Sequence, residues 1–295
     1  MKDEAYPYLF RKSDEASLRQ QKFYLRATKI EFVFILTAAF SSGFMLTGNT
    51  KASNAFAIAT AVTLGLAFLT RIFIKILKWE REWFDTRAIA ESIKTITWRY
   101  IMAVEPYSRN LLPADVDKMF TKKLTEIYKA RPEAHSSMAA CVSSEGQQIT
   151  ARMREIRGLS VDGRKTIYVN QRVKDQRKWY RLKAKSNKDH DSRGLFFIVG
   201  CEFVGVVIAV CIIFFPKIIF NPLGTVTTLA AVFCAWVQIK RHSELSQSYA
   251  VAEQELTSSE SLADHVKTED ALREYVINTE GAISREHTMW CAKRI

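Results

Sequence analysis

Four stretches of the chain are almost free of charge, and the polar positions between them are dense in Lys, Arg, Asp and Glu. The first apolar run is Ile30–Leu46, with Glu31 near its start. The second is Ala55–Leu77, with Arg71 and Lys75 near its end. The third is Gly194–Phe215, interrupted by Glu202, and the fourth is about Ile218–Ile239, with Asn221-Pro222 near its start. Each is about the length that a helix needs to cross a hydrocarbon core of about 30 Å. The connections Thr47–Asn54 and Pro216–Asn221 are short, so the runs pair into two helical hairpins. The pattern predicts an all-α membrane protein, with four transmembrane helices as two hairpins plus a cytosolic helical bundle.

The polar segments carry helical periodicity and no convincing strand alternation. Trp79, Trp83, Ala90, Ile93, Trp98 and Ile101 share a face. A helix from near Pro113 carries Met119, Phe120, Leu124 and Ile127 and is stopped by Arg131-Pro132. Glu133–Gln147 is polar and reads as a linker, and a helix with Ile149, Met153 and Ile156 follows. Gly158–Gly163 is expected to turn, and a long basic helix leads into the third span. Thr268-Glu269-Asp270 opens a last helix carrying Leu272, Tyr275, Val276, Ile283 and Trp290. Small residues recur at helical spacing inside the spans: Ala39 and Gly43, then Ala57, Ala61 and Gly65, then Cys201, Gly205 and Ala209. Such stripes let helix backbones approach in lipid, within one chain or between chains.

The chain also reads as two halves on one plan. RQQKFY at Arg19–Tyr24 parallels DQRKWY at Asp175–Tyr180, a hairpin follows each, and AIAESIK at Ala88–Lys94 parallels AVAEQEL at Ala250–Leu256. The predicted organisation is a first half over 1–132 (spans about 30–46 and 55–77), a linker over 133–147, and a second half over 148–295 (spans about 194–215 and 218–239).

Composition fixes the orientation. The net charge is +12, with 43 Lys and Arg against 31 Asp and Glu among 295 residues. Arg19, Lys22, Arg26 and Lys29 precede span one, Lys78, Arg81 and Arg87 follow span two, and Lys240 and Arg241 follow span four. Residues 164–193 hold eleven Lys and Arg against three Asp, while each hairpin tip holds a single Lys. The positive-inside bias therefore places both termini and the central region in the cytoplasm. The first 29 residues are charged and carry Pro7, so insertion is expected through the first hairpin. Five cysteines without a CxxC pair, three of them in apolar runs, read as small packing residues in a reducing compartment.

The chemistry of an enzyme is not evident. No P-loop, GxGxxG, GxSxG or HExxH occurs, and His135, His190, His242, His265 and His287 follow no ligand spacing. No catalytic residue, cofactor or metal is expected. Glu202 stands eight positions into span three, and a carboxylate there is costly unless paired, protonated or facing water. It reads either as a pore or bundle-interior group with Arg71 as partner, or as an interfacial residue of a span that starts late. Glu31 reads as an interface residue or a charge at a pore mouth, and Arg71 and Lys75 as snorkelling cations. Thr225, Thr227 and Thr228 are further polar candidates in span four. The basic segment with Arg172, Lys174, Arg177, Lys178 and Arg181 admits several readings. It could be a solvated, topology-setting face or an anionic-lipid contact worth about 1 kcal/mol per basic residue. It could also form a pocket for a nucleotide signal. Nucleic acid, stacked on Tyr168, Trp179 or Tyr180, ranks last.

Together these features resemble the SLATT family, the SMODS- and SLOG-associating two-transmembrane effector domains of bacteria. The first half is similar to one subfamily through YPYLFRKSDEASLRQQKFYL at Tyr6–Leu25 and WFDTRAIAESIKTITWRY at Trp83–Tyr100. The second half is similar to another through RKTIYVNQRVKDQRKWYRLKAKSNK at Arg164–Lys188 and the helix after span four. The resemblance implies an effector of bacterial conflict or antiphage systems in the inner membrane. It would form pores or perturb the bilayer when a nucleotide second messenger, a sensor protein or another infection cue is present. Four spans are too few for a wide pore, so a homo-oligomer is expected. The competing expectation is a non-conducting, membrane-anchored scaffold whose cytosolic bundle recruits partners.

Overall fold

The computed structural model describes residues 1, 3–44, 50–141, 146–215 and 220–292, without the side chains of 50 and 285–292. Every extended element among them is helical. In chain order these are α1 (Tyr8–Ser42), α2 (Thr50–Leu77), α3 (Trp79–Ile101), α4 (Pro113–Lys129), α5 (Ala134–Ala139) and α6 (Ala151–Gly158). Then come α7 (Val161–Tyr168), a π turn over Val169–Val173, α8 (Lys174–Phe214), α9 (Leu223–Lys240), α10 (His242–Leu262) and α11 (Glu269–Ala292).

The local signals explain the ends. Pro113 sits in the first turn of α4, where its missing N–H costs nothing. Thr150 Oγ1 accepts from the Met153 N–H, Ser160 Oγ from Gly163, and Thr268 Oγ1 from Ala271, capping α6, α7 and α11. The stretch read as a linker contains α5, with Ala134, Ser137 and Met138 buried.

The helices gather into two units, each drawing on both halves of the sequence. The first comprises Met1–Gln21, Glu80–Ala184 and Gln247–Ile295. It has an ordinary core: Phe10, Ile93, Trp98, Phe120, Leu124, Ile156, Tyr168, Leu256, Leu272 and Val276 are all buried together. Trp98 Nε1 donates to Tyr6 Oη at 2.9 Å, satisfying the polar tip of a fully buried ring. Ala90 and Ala252, the matched alanines of the two halves, are both buried in this unit.

The second unit comprises Lys22–Trp79 and Lys185–Ser246. Many of its apolar side chains face outward: Ile58, Phe68 and Ile76 of α2 and Phe196, Phe203 and Ile213 of α8 are exposed. That distribution suits lipid as the solvent rather than water. Three helical runs, Lys51–Ile101, Val161–Phe214 and Leu223–His265, contain a stretch long and apolar enough to cross a membrane. Their charged remainders, such as α3 and α7, lie outside those apolar stretches. The sequence pattern predicts four spans, and the described structure meets the criterion in three. The run Ile30–Leu46 is not among the three: α1 ends at Ser42 with Arg26, Lys29 and Glu31 in its last 18 residues, and Met45 and Leu46 lie outside the described residues, as do residues 218 and 219 at the start of the fourth run.

Within this unit the end of α1 packs on the start of α9. The Asn221 N–H donates to Gly43 O at 3.1 Å, Thr225 Oγ1 donates to Ala39 O at 3.3 Å, and Phe220 lies against Phe40 and Phe44. Gly205 faces Leu223 and Val226. The small residues of spans one and three thus serve packing inside the chain, whereas Ala61 and Gly65 of α2 are exposed. The ammonium groups of Lys29 and Lys240 lie over the Trp236 ring, 5.2 and 5.0 Å from its centroid, an arrangement suited to a membrane–water boundary.

A feature shared by both halves is absent from the sequence comparison. Lys78, between α2 and α3, has φ of 49°, and Arg241, between α9 and α10, has φ of 51°. Each hairpin therefore ends in a basic residue in the left-handed region, which breaks one helix and starts the next.

Candidate functional site

Two groups of polar residues stand out, one in each unit. In the membrane-type unit, Glu31 is buried on α1 and its Oε1 accepts from Arg71 Nε of α2 at 2.8 Å. The other carboxylate oxygen is buried without a hydrogen-bond partner. Arg71 keeps more than half of its side chain exposed, as a snorkelling cation does. Arg71 was the expected partner of Glu202, and the structure pairs it with Glu31 instead. The reason is hairpin geometry: Glu31 and Arg71 lie about twenty residues on either side of the tip, so antiparallel helices bring them level.

Glu202 is exposed on α8, with no hydrogen bond or ion pair among the described residues. Thr225 is half-buried and tied to Ala39 O, and Thr228 is half-buried beside it on α9. Thr227 is exposed and returns its hydroxyl to Leu223 O and Gly224 O of its own helix.

In the other unit the basic segment does not form one solvated face. Arg172 is buried, and it grips Glu280 of α11 with two bonds, Nε to Oε1 at 2.9 Å and Nη2 to Oε2 at 2.8 Å. Tyr168, one turn earlier, donates its hydroxyl to the same Oε1 at 3.0 Å. Burial and the Glu280 carboxylate push the Tyr168 phenol well above 10. Burial opposes the Arg172 cation, but Glu280 outweighs it and holds the guanidinium firmly protonated. The expected lipid or signal contact at Arg172 is therefore an interior ion pair. Arg177 bridges to Glu260 at 2.5 Å, and Lys174 reaches Asn170 Oδ1 at 3.1 Å and Glu260 at 4.0 Å. Lys174, Lys178 and Arg181 are the exposed members of the set. Trp179 is partly exposed against Tyr249, while Tyr180 is buried.

Two further arginines, Arg157, missed in the sequence, and Arg164, read there only as the start of the basic segment, close the end of α3. Arg157 donates to Tyr100 O, Tyr107 O and Ser108 O, and the fully buried Arg164 donates to Met102 O and to the Glu269 carboxylate. Cations at carbonyls left open by a helix C-terminus are favoured by geometry and by the helix dipole. Glu280 was missed too, although the sequence carries a signal for it. It stands four residues after Val276 and three before Ile283, an acid within the apolar stripe of α11, and only a buried cation makes that placement affordable.

The fold and these sites define a helical protein with a lipid-facing helical unit and a water-type helical bundle joined in one chain. Residues 7–165 match the model of the SMODS and SLOG-associating 2TM effector domain 3, and residues 168–290 match that of the SMODS and SLOG-associating 2TM effector domain 1. The chain belongs to this effector-domain family, whose members are associated with antiphage and conflict systems, and carries two such domains in tandem. No curated protein and no solved structure matches it.

Proposed function

We propose that the chain is an oligomeric effector of the bacterial inner membrane that opens a pore or channel during an antiphage response. In this reading all four apolar runs span the bilayer, and the termini and the water-type unit lie in the cytoplasm. Basic residues at the open ends of both hairpins support that orientation. The single observation that carries the proposal is Glu202. An exposed carboxylate within an apolar stretch costs about 2.5–3.5 kcal/mol in lipid on insertion scales, so it calls for water or a partner chain. A ring of subunits supplies both. The open small-residue face at Ala61 and Gly65 of α2 suits contact between subunits.

The trigger in this reading is a sensor protein or nucleotide second messenger acting on the cytoplasmic bundle. No catalytic step, cofactor or nucleic acid is involved. Inducible expression in bacteria with a membrane-potential dye tests the proposal. The expected outcome is depolarisation and growth arrest, reduced at least tenfold in Glu202→Gln at equal expression. Unchanged potential with a monomeric protein would favour the scaffold reading, in which the spans only anchor the bundle.

A further inference from the structure

A cleft of about 260 Å³ lies within the water-type unit, flanked by the chain's first residues, α3 and the π turn with the start of α8. Tyr6, Glu91, Lys94, Gln171, Arg172 and Trp179 are among its lining residues. Arg172 reaches it from the protein interior. Two of its nitrogens are taken by Glu280, but Nη1 is buried and has no hydrogen-bond partner. A guanidinium nitrogen left bare in a buried setting is a strong, oriented donor waiting for an acceptor.

Lys94 is the second cation. It is half-buried and makes no ion pair among the described residues. Burial lowers its pKa, Glu91 works against that, and the charges of Arg172 and Arg87 lower it further. Two neighbouring cations that disfavour each other are both relieved by one anion between them. Of the acids of the cleft, Glu91 offsets only part of what disfavours the Lys94 charge. Glu91 is held by Arg87 at 2.5 Å, and Asp3 and Asp175 are exposed. The π turn that carries Arg172 is a distortion that recurs where helices serve function.

We propose that this cleft binds an oxyanion, the phosphate or carboxylate group of a small molecule, through Arg172 Nη1 and the Lys94 ammonium. The volume suits a small metabolite or a headgroup and is below the range of typical drug-sized sites. The site does not depend on whether the chain conducts, because binding is read on the isolated protein.

The full chain in a phosphate-free sugar detergent, titrated calorimetrically with inorganic phosphate and with acetate, tests it. A parallel arm adds phosphatidylglycerol to the micelles. The expected result is saturable binding that weakens at least tenfold in Lys94→Gln and persists in Lys94→Arg. Arg172→Lys would strengthen the case but disturbs Glu280, so Lys94→Gln, checked for an unchanged melt, is decisive. Lys94-dependent binding of free anions assigns a soluble ligand, and Lys94-dependent binding of the lipid alone assigns a headgroup. Absence of saturable binding in every arm, or equal binding by Lys94→Gln, overturns the proposal.

Discussion

Arg172 and Glu280 form a two-pronged ion pair, 2.9 and 2.8 Å long, with both side chains almost wholly buried. It ties the π turn to α11. Removing one partner leaves a charge buried without compensation, which typically costs about 3–5 kcal/mol. Glu280→Gln should therefore lower the melting temperature of the detergent-solubilised protein sharply. Replacing both partners by apolar residues, as in Arg172→Met with Glu280→Leu, should recover most of that loss. A double variant as unstable as the single one would show that the pair is not the source of the penalty.

Gly43 and Gly65 look alike in the sequence, and the structure separates them. A Cβ on Gly43 would lie 2.5 Å from the Phe220 ring and 2.7 Å from Asn221 O, and the backbone oxygen cannot swing away. Gly43→Ala is expected to destabilise by about 1–3 kcal/mol through overpacking. A Cβ on Gly65 meets nothing within 4 Å, so Gly65→Leu should leave the melt of the isolated subunit within about 0.5 kcal/mol of wild type. For the oligomer proposed above, its loss by light scattering in Gly65→Leu, with that melt preserved, would place the subunit contact on α2.

The parts legible in the sequence are those set by local pattern. Apolar length marks α2, α8 and α9, Pro113 and Pro132 bracket α4, and Thr268 announces α11. Long-range pairing was legible only in part. The Glu31–Arg71 pair follows from counting outward from the hairpin tip, yet the eye goes to Glu202 because it lies deeper in an apolar run. The burial of Arg172 could not be read from its own surroundings, since its neighbours Lys174, Arg177 and Lys178 suggest a solvated face. Its partner lies more than a hundred residues away on α11. That both halves feed a single core is likewise a tertiary fact, visible only when Tyr168, Trp98 and Val276 are seen together.

The left-handed residues Lys78 and Arg241 give a test of the shared hairpin plan. A non-glycine residue in that region is disfavoured by about 1–2 kcal/mol, so Lys78→Gly should raise stability by roughly 1 kcal/mol. Lys78→Val, with its branched side chain, should lower it. Glu80→Gly, in the first turn of α3, should instead lower stability, because it removes an acid from the helix N-terminus as well as introducing glycine. Arg241 also pairs with Glu244 at 3.2 Å, so Arg241→Gly should gain less than Lys78→Gly. A melt that drops equally at 78 and 80 would remove the left-handed break as the explanation.

Glu269 opens α11 and should give stability a dependence on acid. The hydrogen bond from buried Arg164 lowers its pKa below the ordinary value of 4.5, burial works the other way, and the charges of Arg164 and Arg109 lower it further. With the folded pKa below the unfolded one, the unfolded chain takes up the proton first as pH falls. The contribution of Glu269 is thus complete above about pH 4.5 and drains away as pH drops through the folded value. Glu269→Gln should melt earlier than wild type at neutral pH, and the two curves should converge in acid. Because the carboxylate is about half exposed, the gap should also narrow with added salt. A constant gap across the whole pH range would mean that Glu269 acts through packing or neutral hydrogen bonding rather than through its charge.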